Sequence, residues 1–285
     1  MRLRLAPGRF GFLPVALEEI VKSIQDGLYR LALRMLYDPT DAQDATQEIL
    51  IKVITHLGSF RGEGNFRSWA MKVAANHLLS IRRRPNERNI TFDDMAAKIV
   101  SHWPAPWREL ESVPLQNLLV EEFRIACLQI VLLGLDRRHR LAYILGEIFD
   151  VSGREGAQIL DIQEATYRKR LQRARTRIRN FLITNCALIR PGNPCLCERQ
   201  TDYFLSTGCL RAERLVFADH PCRVRHSPQV RARLAEMDEI ARISYLYQTH
   251  PDFKAPGSFV THLRKLVDSG RFEIIRYRPE SGGAS

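Results

Sequence analysis

Ser152-Gly-Arg-Glu-Gly-Ala-Gln-Ile-Leu160, the turn Asp161-Ile162-Gln163, and Glu164-Ala-Thr-Tyr-Arg-Lys-Arg-Leu-Gln-Arg-Ala-Arg175 read as a short helix, a tight connection and a longer helix. Ser152 is placed to cap the first helix, which reaches Leu160. In the second, Tyr167, Leu171, Ala174, Ile178 and Phe181 recur at helical spacing and face inward. Arg168, Lys169, Gln172, Arg173 and Arg175 are then left largely outside. A short turn followed by a basic second helix is the helix-turn-helix arrangement, in which the second helix enters a DNA major groove.

The same rhythm extends upstream. It is present in Glu121–Leu133 and again in Leu141, Ile144, Leu145, Ile148 and Phe149, the stripe of a buried helix. Residues 85–117 lose it and carry Pro85, Pro104, Pro106 and Pro114 with the acidic pair Asp93 and Asp94, which predicts a flexible linker. Before the linker, Leu17, Ile20, Val21, Ile24, Leu28, Leu31, Ala32 and Met35 form one apolar face that stops at Asp38-Pro39-Thr40. A second helix restarts at Asp41 and buries Ala42, Ala45, Ile49, Val53 and Leu57, with Asp41, Asp44, Gln47, Glu48 and Lys52 opposite. A loop follows over Gly58–Asn65. A third helix from Phe66 presents Trp69, Ala70, Val73, Ala74 and Leu78 to the core and ends in Arg82-Arg83-Arg84. Beyond Asn185 the chain changes to a Cys-rich, Pro- and Gly-containing stretch to about 227, followed by helical patterns near 229–247 and 257–269.

The expected architecture is therefore all-α: a helical unit over 15–84, a linker over 85–117, a helix-turn-helix unit over 118–183, and a small Cys-rich extension over 184–285. At 285 residues with 45% apolar content the chain is long for one compact core, which suits several modules. Forty-three Lys and Arg against 32 Asp and Glu give a formal charge of +11, suited to a phosphate-rich partner. The longest apolar stretches, such as Ile125–Leu133, fall far short of the roughly 20 residues of a membrane span. The start Met1-Arg-Leu-Arg-Leu lacks a signal core, so a cytoplasmic protein with no membrane partner is expected.

Two blocks of this sequence, in this order, resemble the extracytoplasmic-function (ECF) group of RNA polymerase sigma factors of the sigma-70 family. Asp41-Ala-Gln-Asp-Ala-Thr-Gln-Glu48, Phe60-Arg-Gly-Glu-Gly-Asn-Phe-Arg-Ser-Trp69 and Ala74-Ala-Asn76 through Arg84 resemble region 2. Leu135-Asp-Arg-Arg138 through Ile148, Ala157-Gln-Ile-Leu160 and Ala165 through Arg175 resemble region 4. The pattern departs at Gly156, where an aliphatic residue is usual, and at Gly153; both weaken a helix.

The resemblance implies a non-catalytic subunit that directs core RNA polymerase to a promoter set. By the resemblance Asp41, Asp44, Gln47 and Glu48 dock on polymerase; read alone they are a solvated face, and no His, Cys or other nucleophile stands near them for catalysis. Lys72, Asn76, Ser80, Arg82, Arg83 and Arg84 lie where the group reads the −10 element and holds the melted non-template strand. Glu164, Thr166, Arg168, Lys169, Gln172, Arg173 and Arg175 lie on the helix that meets −35 double-stranded promoter DNA. There Arg168 and Gln172 suit base edges, and Lys169, Arg173 and Arg175 suit phosphates. Trp69, His77 and Cys127 are read as core, and Asp93 and Asp94 as solubilising or as mimics of nucleic acid in the polymerase cleft. A free-standing helix-turn-helix regulator is the alternative, and an anti-sigma factor is a further partner to expect. No cofactor is implied for the core activity. Cys186, Cys195, Cys197, Cys209 and Cys222, with His220 and His226 close by, offer soft ligands for copper or zinc without matching a standard zinc knuckle, and thiol redox sensing or unlinked thiols stay open.

Overall fold

The computed structural model describes residues 12–60, 62, 65–82, 90–101, 113–218 and 234–268, and among these the chain is built of helices and turns. Helix α1 (Phe12–Leu36), α2 (Pro39–Thr55) and α3 (Phe66–Ser80) form the first bundle. Asp38 caps α2 by accepting from the backbone N–H of Thr40 at 2.8 Å and Asp41 at 3.0 Å, with Pro39 in the first turn where no donor is needed. Ala42, Ala45, Ile49 and Val53 pack inward as the spacing requires.

Helix α4 (Phe92–Ser101) lies inside the stretch expected to be a linker. Its start is set by a reciprocal cap: the Thr91 hydroxyl donates to Asp94 at 2.6 Å and accepts from the Asp94 backbone N–H at 3.1 Å. Phe92 stacks on Phe181 at 5.3 Å, and α4 crosses Gly134 so closely that a Cβ there would meet Met95 at 2.9 Å. Asp93 and Asp94 are exposed.

The second unit comprises α5 (Val113–Leu133), α6 (Arg137–Tyr143) with a π-turn at Ile144–Ile148, α7 (Gly153–Leu160) and α8 (Glu164–Asn185). Asp136 caps α6 and Ser152 caps α7, the latter by accepting from the N–H of Glu155 at 3.2 Å. The glycine that departs from the family pattern has a steric cause. A Cβ on Gly156 would lie 2.3 Å from the fully buried Tyr167 ring, so the missing side chain is what lets α8 close on α7.

The extension is folded onto both units, through α9 (Cys197–Ser206), α10 (Glu239–Gln248) and α11 (Ser258–Asp268). In the stretch near 229–247 where helix was expected, Leu234 and Ala235 are helical, a turn follows, and α10 starts at Glu239, capped by Asp238; residues 219–233 lie outside the described set. Helix α5 anchors the extension with charges inside an otherwise apolar run. Glu122 is 3% exposed, and its carboxylate accepts from the N–H groups of Val216 at 2.7 Å, Phe217 at 2.8 Å and Ala218 at 2.6 Å. Arg124, 4% exposed, pairs with Glu121 and donates to the Thr249 hydroxyl at 3.0 Å. Tyr247 donates to the Leu128 carbonyl at 3.2 Å. These buried charges are paired, which offsets the cost of removing them from water.

Two predictions follow from this packing. Gly to Ala inside a helix ordinarily stabilises by about 1 kcal/mol. Gly156→Ala should instead destabilise by about 1–3 kcal/mol through overlap with Tyr167; a denaturant midpoint at or above wild type contradicts the packing described.

The second prediction concerns pH. Burial, and then Lys52, hold the His77 ring below its ordinary range, with Glu48 opposing. Burial holds His250 well below it, with the cations Arg34 and Arg124 acting in the same direction. Protonation therefore favours the unfolded chain, so this stability is complete above about pH 6.5 and is lost as pH falls through the folded values. Urea midpoints should drop between pH 7.5 and 5.5, and drop less in His250→Leu. An equal drop in both chains would remove His250 from the account.

Candidate nucleic-acid and polymerase interface

The acidic face of α2 is present as a surface. Asp44 and Glu48 are exposed, Asp41 and Gln47 half-buried, and the opposite side of the helix is core. Glu48 approaches Nε2 of His77 at 3.5 Å, and Nδ1 of His77 lies 2.8 Å from the Lys52 ammonium. Since Lys52 can only donate, Nδ1 accepts and the ring proton resides on Nε2, toward Glu48. His77 is 4% exposed and structural, as its position on the apolar face implied.

Helix α3 carries the next group. Lys72 is half-buried, and Asn76 and Ser80 are exposed on its outer side, with Arg82 exposed just beyond its end. Arg83 and Arg84 lie outside the described residues. Asn65 caps α3 by accepting from the Arg67 N–H at 3.0 Å, and Trp69 stacks at 5.6 Å on both Phe60 and Phe66. Trp69 thereby joins Phe60, in the segment that follows α2, to Phe66, at the start of α3.

In the helix-turn-helix, Tyr167, Leu171, Ala174, Ile178 and Phe181 are buried, and Arg168, Lys169, Gln172, Arg173 and Arg175 are all exposed. Glu164 and Thr166, at the start of α8, are half-buried. Two of the basic side chains are engaged within the protein: Arg168 with Glu164, and Arg175, whose Nε donates to Glu147 at 2.7 Å. His139, Gln172, Arg173, Thr176 and Arg177 line an open groove of about 610 Å³ along the same helix. His139 and Arg177 were not singled out from the sequence. Arg177 continues the exposed face one turn further, a signal that the spacing contained.

The cysteines divide differently from the expected metal set. Cys186, Cys195 and Cys197 line a small enclosed cavity together with Cys127, whose place in an apolar stripe made it core, and Cys186 and Cys195 face each other across an isolated β-bridge. Cys209 is exposed, and Cys222, His220 and His226 lie outside the described residues. Burial pushes the Cys127 thiol up to about 12 and raises Cys195 and Cys186, the last partly relieved by the backbone N–H groups of Leu188 and Ile189. Burial therefore disfavours the thiolate form in which cysteine binds a metal. Among the described residues no three His, Cys, Asp or Glu side chains gather closely enough to hold an ion.

Polar residues with a larger structural part were missed. Arg137, 5% exposed, donates to the carbonyls of Leu78 at 3.0 Å and Ile81 at 2.6 Å; Arg140, 2% exposed, donates to Leu132 at 3.0 Å, Leu135 at 2.9 Å and Met35. These two side chains join α6 to the C-terminal ends of α3 and α1. Their sequence signal was weak, since Arg in an amphipathic helix is usually solvated.

No helix among the described residues is long and apolar enough to cross a membrane. The model of Sigma-70 region 2 matches residues 20–88. The RNA polymerase sigma-H factor of Pseudomonas aeruginosa is 30% identical over 167 residues, which cover 57% of this chain and 84% of that protein. The ECF RNA polymerase sigma factor SigW of Bacillus subtilis is 26% identical over 175 residues, 59% of this chain and 89% of the relative. The ECF RNA polymerase sigma-E factor of Escherichia coli is 33% identical over 144 residues, 49% and 73% respectively. With an acidic helix face in its first bundle, a basic helix-turn-helix in its second, and relatives matched over most of their own length, the chain belongs to the ECF group of sigma-70 family RNA polymerase sigma factors.

Proposed function

We propose that this sigma factor docks on core RNA polymerase through the acidic face of α2 and positions two DNA readers, the outer side of α3 for the −10 element and the exposed side of α8 for the −35 element. The observation that carries this reading is the opposed character of two outward faces in one chain, carboxylates at Asp44 and Glu48 and cations at Lys169, Arg173 and Arg177. Carboxylates on a rigid helix suit Arg or Lys of a protein partner and repel DNA, which keeps the docking face off the template. The cations suit phosphates. Core polymerase supplies the phosphodiester chemistry; sigma factors are generally initiation factors rather than enzymes. The free-standing regulator is not favoured, because the relatives above are sigma factors.

Arg168 and Arg173 divide the work on α8. Arg168 pairs with Glu164 near the N-terminal end of the helix, the part that enters a groove, and that carboxylate steers its guanidinium toward one base edge. Arg173 lines the basic groove beside Thr176 and Arg177, where a phosphate fits.

The charge reversal Asp44→Lys with Glu48→Lys should lower the affinity for core polymerase at least tenfold while the thermal unfolding profile stays close to wild type. Pull-down affinity equal to wild type would remove α2 from the docking account. Selection of bound duplexes from a random library should show that Arg168→Ala changes the preferred −35 sequence. Arg173→Ala should weaken all duplexes alike and flatten the salt dependence by about one unit of slope. The same change of sequence preference in both variants would contradict the division between readout and phosphate contact.

A further inference from the structure

The two DNA readers are held against each other. Lys72 on α3 pairs with Asp161, the turn residue of the helix-turn-helix, at 2.9 Å, and Ser68 donates to Glu155 on α7. Elements at −10 and −35 lie about 25 base pairs apart, or about 85 Å along the duplex at roughly 3.4 Å per pair. No single placement on DNA lets both readers reach their elements while Lys72 touches Asp161. The described conformation is therefore closed, and it covers part of the α3 face while leaving α8 exposed.

The extension fastens this closed form from outside. Toward the second unit it is anchored on Glu122 and Arg124 of α5. Toward the first unit, the Ala255 N–H donates to Asp26 at 2.9 Å, Arg30 donates to Asp252 at 2.7 Å, and Arg264 pairs with Glu18. Phe259, 1% exposed, packs edge-on against Tyr29 of α1. All three parts of the chain meet at Arg34 of α1. Its guanidinium lies 5.8 Å from the centroid of Phe149 in the second unit and 5.3 Å from that of Phe253 in the extension. It is 4% exposed, and Nε and Nη1 have no hydrogen-bond partner among the described residues. Cation–π contact stabilises the junction, but a buried cation with unmatched donors costs free energy that separation and rehydration would return. The junction is thus specific and reversible.

We propose that residues 234–268 are an intramolecular clamp that holds the two DNA-reading units closed in the free sigma factor, and that promoter engagement requires its release from α1. This rests on the assignment of the readers given under the proposed function. The order of contacts supports it: the extension's attachment to α5 is buried, through the Arg124 donation to Thr249 and the Tyr247 donation to the Leu128 carbonyl, whereas its ion pairs to α1 each keep an exposed partner and are weak, so α1 is the side that lets go. Once released, the chain between Arg82 and Val113, with α4 kept helical at about 1.5 Å per residue and the rest at up to about 3.4 Å, reaches about 85 Å and so spans the promoter elements.

The test compares wild type with two variants outside the docking and reading surfaces. Glu18→Lys with Asp252→Lys places like charges against Arg264 and Arg30, and Phe259→Ser removes the apolar contact with Tyr29. Small-angle scattering reads opening, and fluorescence anisotropy with a labelled random-sequence 20-nucleotide DNA single strand reads access to α3. The expected result is a larger radius of gyration with unchanged helical circular dichroism, and at least tenfold tighter binding of the strand. A larger radius without tighter binding overturns the proposal, as does an unchanged radius in both variants. Because the double variant alters only surface charge, it remains decisive if Phe259→Ser fails to fold. Wild-type transcription with core polymerase separates the two levels of the argument. Its absence sinks the reader assignment and the clamp together, whereas normal transcription with unaltered variants sinks only the clamp.

Discussion

Arg140 is the side chain on which the closed arrangement of the two units depends. A helix leaves its last four carbonyls without intrahelical donors. The guanidinium of Arg140 serves two such ends at once, that of α5 through Leu132 and Leu133 and that of α1 through Met35, and it also donates to Leu135 in the turn after α5. Arg137, one turn earlier, does the same for α3 through Leu78 and Ile81. Both project from a short helix started by the Asp136 cap, so one capped turn sets the register of three helix ends. Removing either guanidinium would leave buried carbonyls unmatched at about 1–3 kcal/mol each, which makes these contacts structural.

The functional surfaces are what remains once that register is fixed. Helix α2 turns its alanines and aliphatics toward α1 and its carboxylates outward. Helix α8 buries one residue per turn against α6 and α7, and every other position is free to carry charge. The same protein thus carries an outward acidic face and an outward basic face, which on the function proposed above suit a protein partner and DNA respectively. Glu147 illustrates the balance: it pairs with Arg175 of α8, so part of the basic face is held within the protein and part faces outward.

Much of this was legible in the sequence, because the inward stripe of α8, the alternation on α2 and the Ser152 cap are local patterns with one physical solution. The helix over Phe92–Ser101 was hidden by the prolines around it, although Thr91 and Asp94 spelled its cap. Gly156 read as a weakness because its partner, the Tyr167 ring, comes from another helix, and steric need of that kind has no local signature. Glu121, Glu122 and Arg124 were visible as charges in an apolar run, but only the tertiary structure says that Glu122 and Arg124 bind the extension while Glu121 pairs with Arg124. Cys127 joins Cys186, Cys195 and Cys197 by packing while Cys209 stays exposed, a grouping across distant helices that has no local signature in the sequence.

The most direct measurement is reconstituted transcription on fragmented genomic DNA by bacterial core RNA polymerase, with and without this chain, followed by mapping of the transcript starts. The account predicts that the chain directs initiation to a restricted set of starts. Each should be preceded by two shared elements about 25 base pairs apart, and their use should be lost when that spacing is lengthened by half a helical turn. Initiation that is equally scattered with and without the chain, or sequence-specific DNA binding that ignores polymerase, would contradict it.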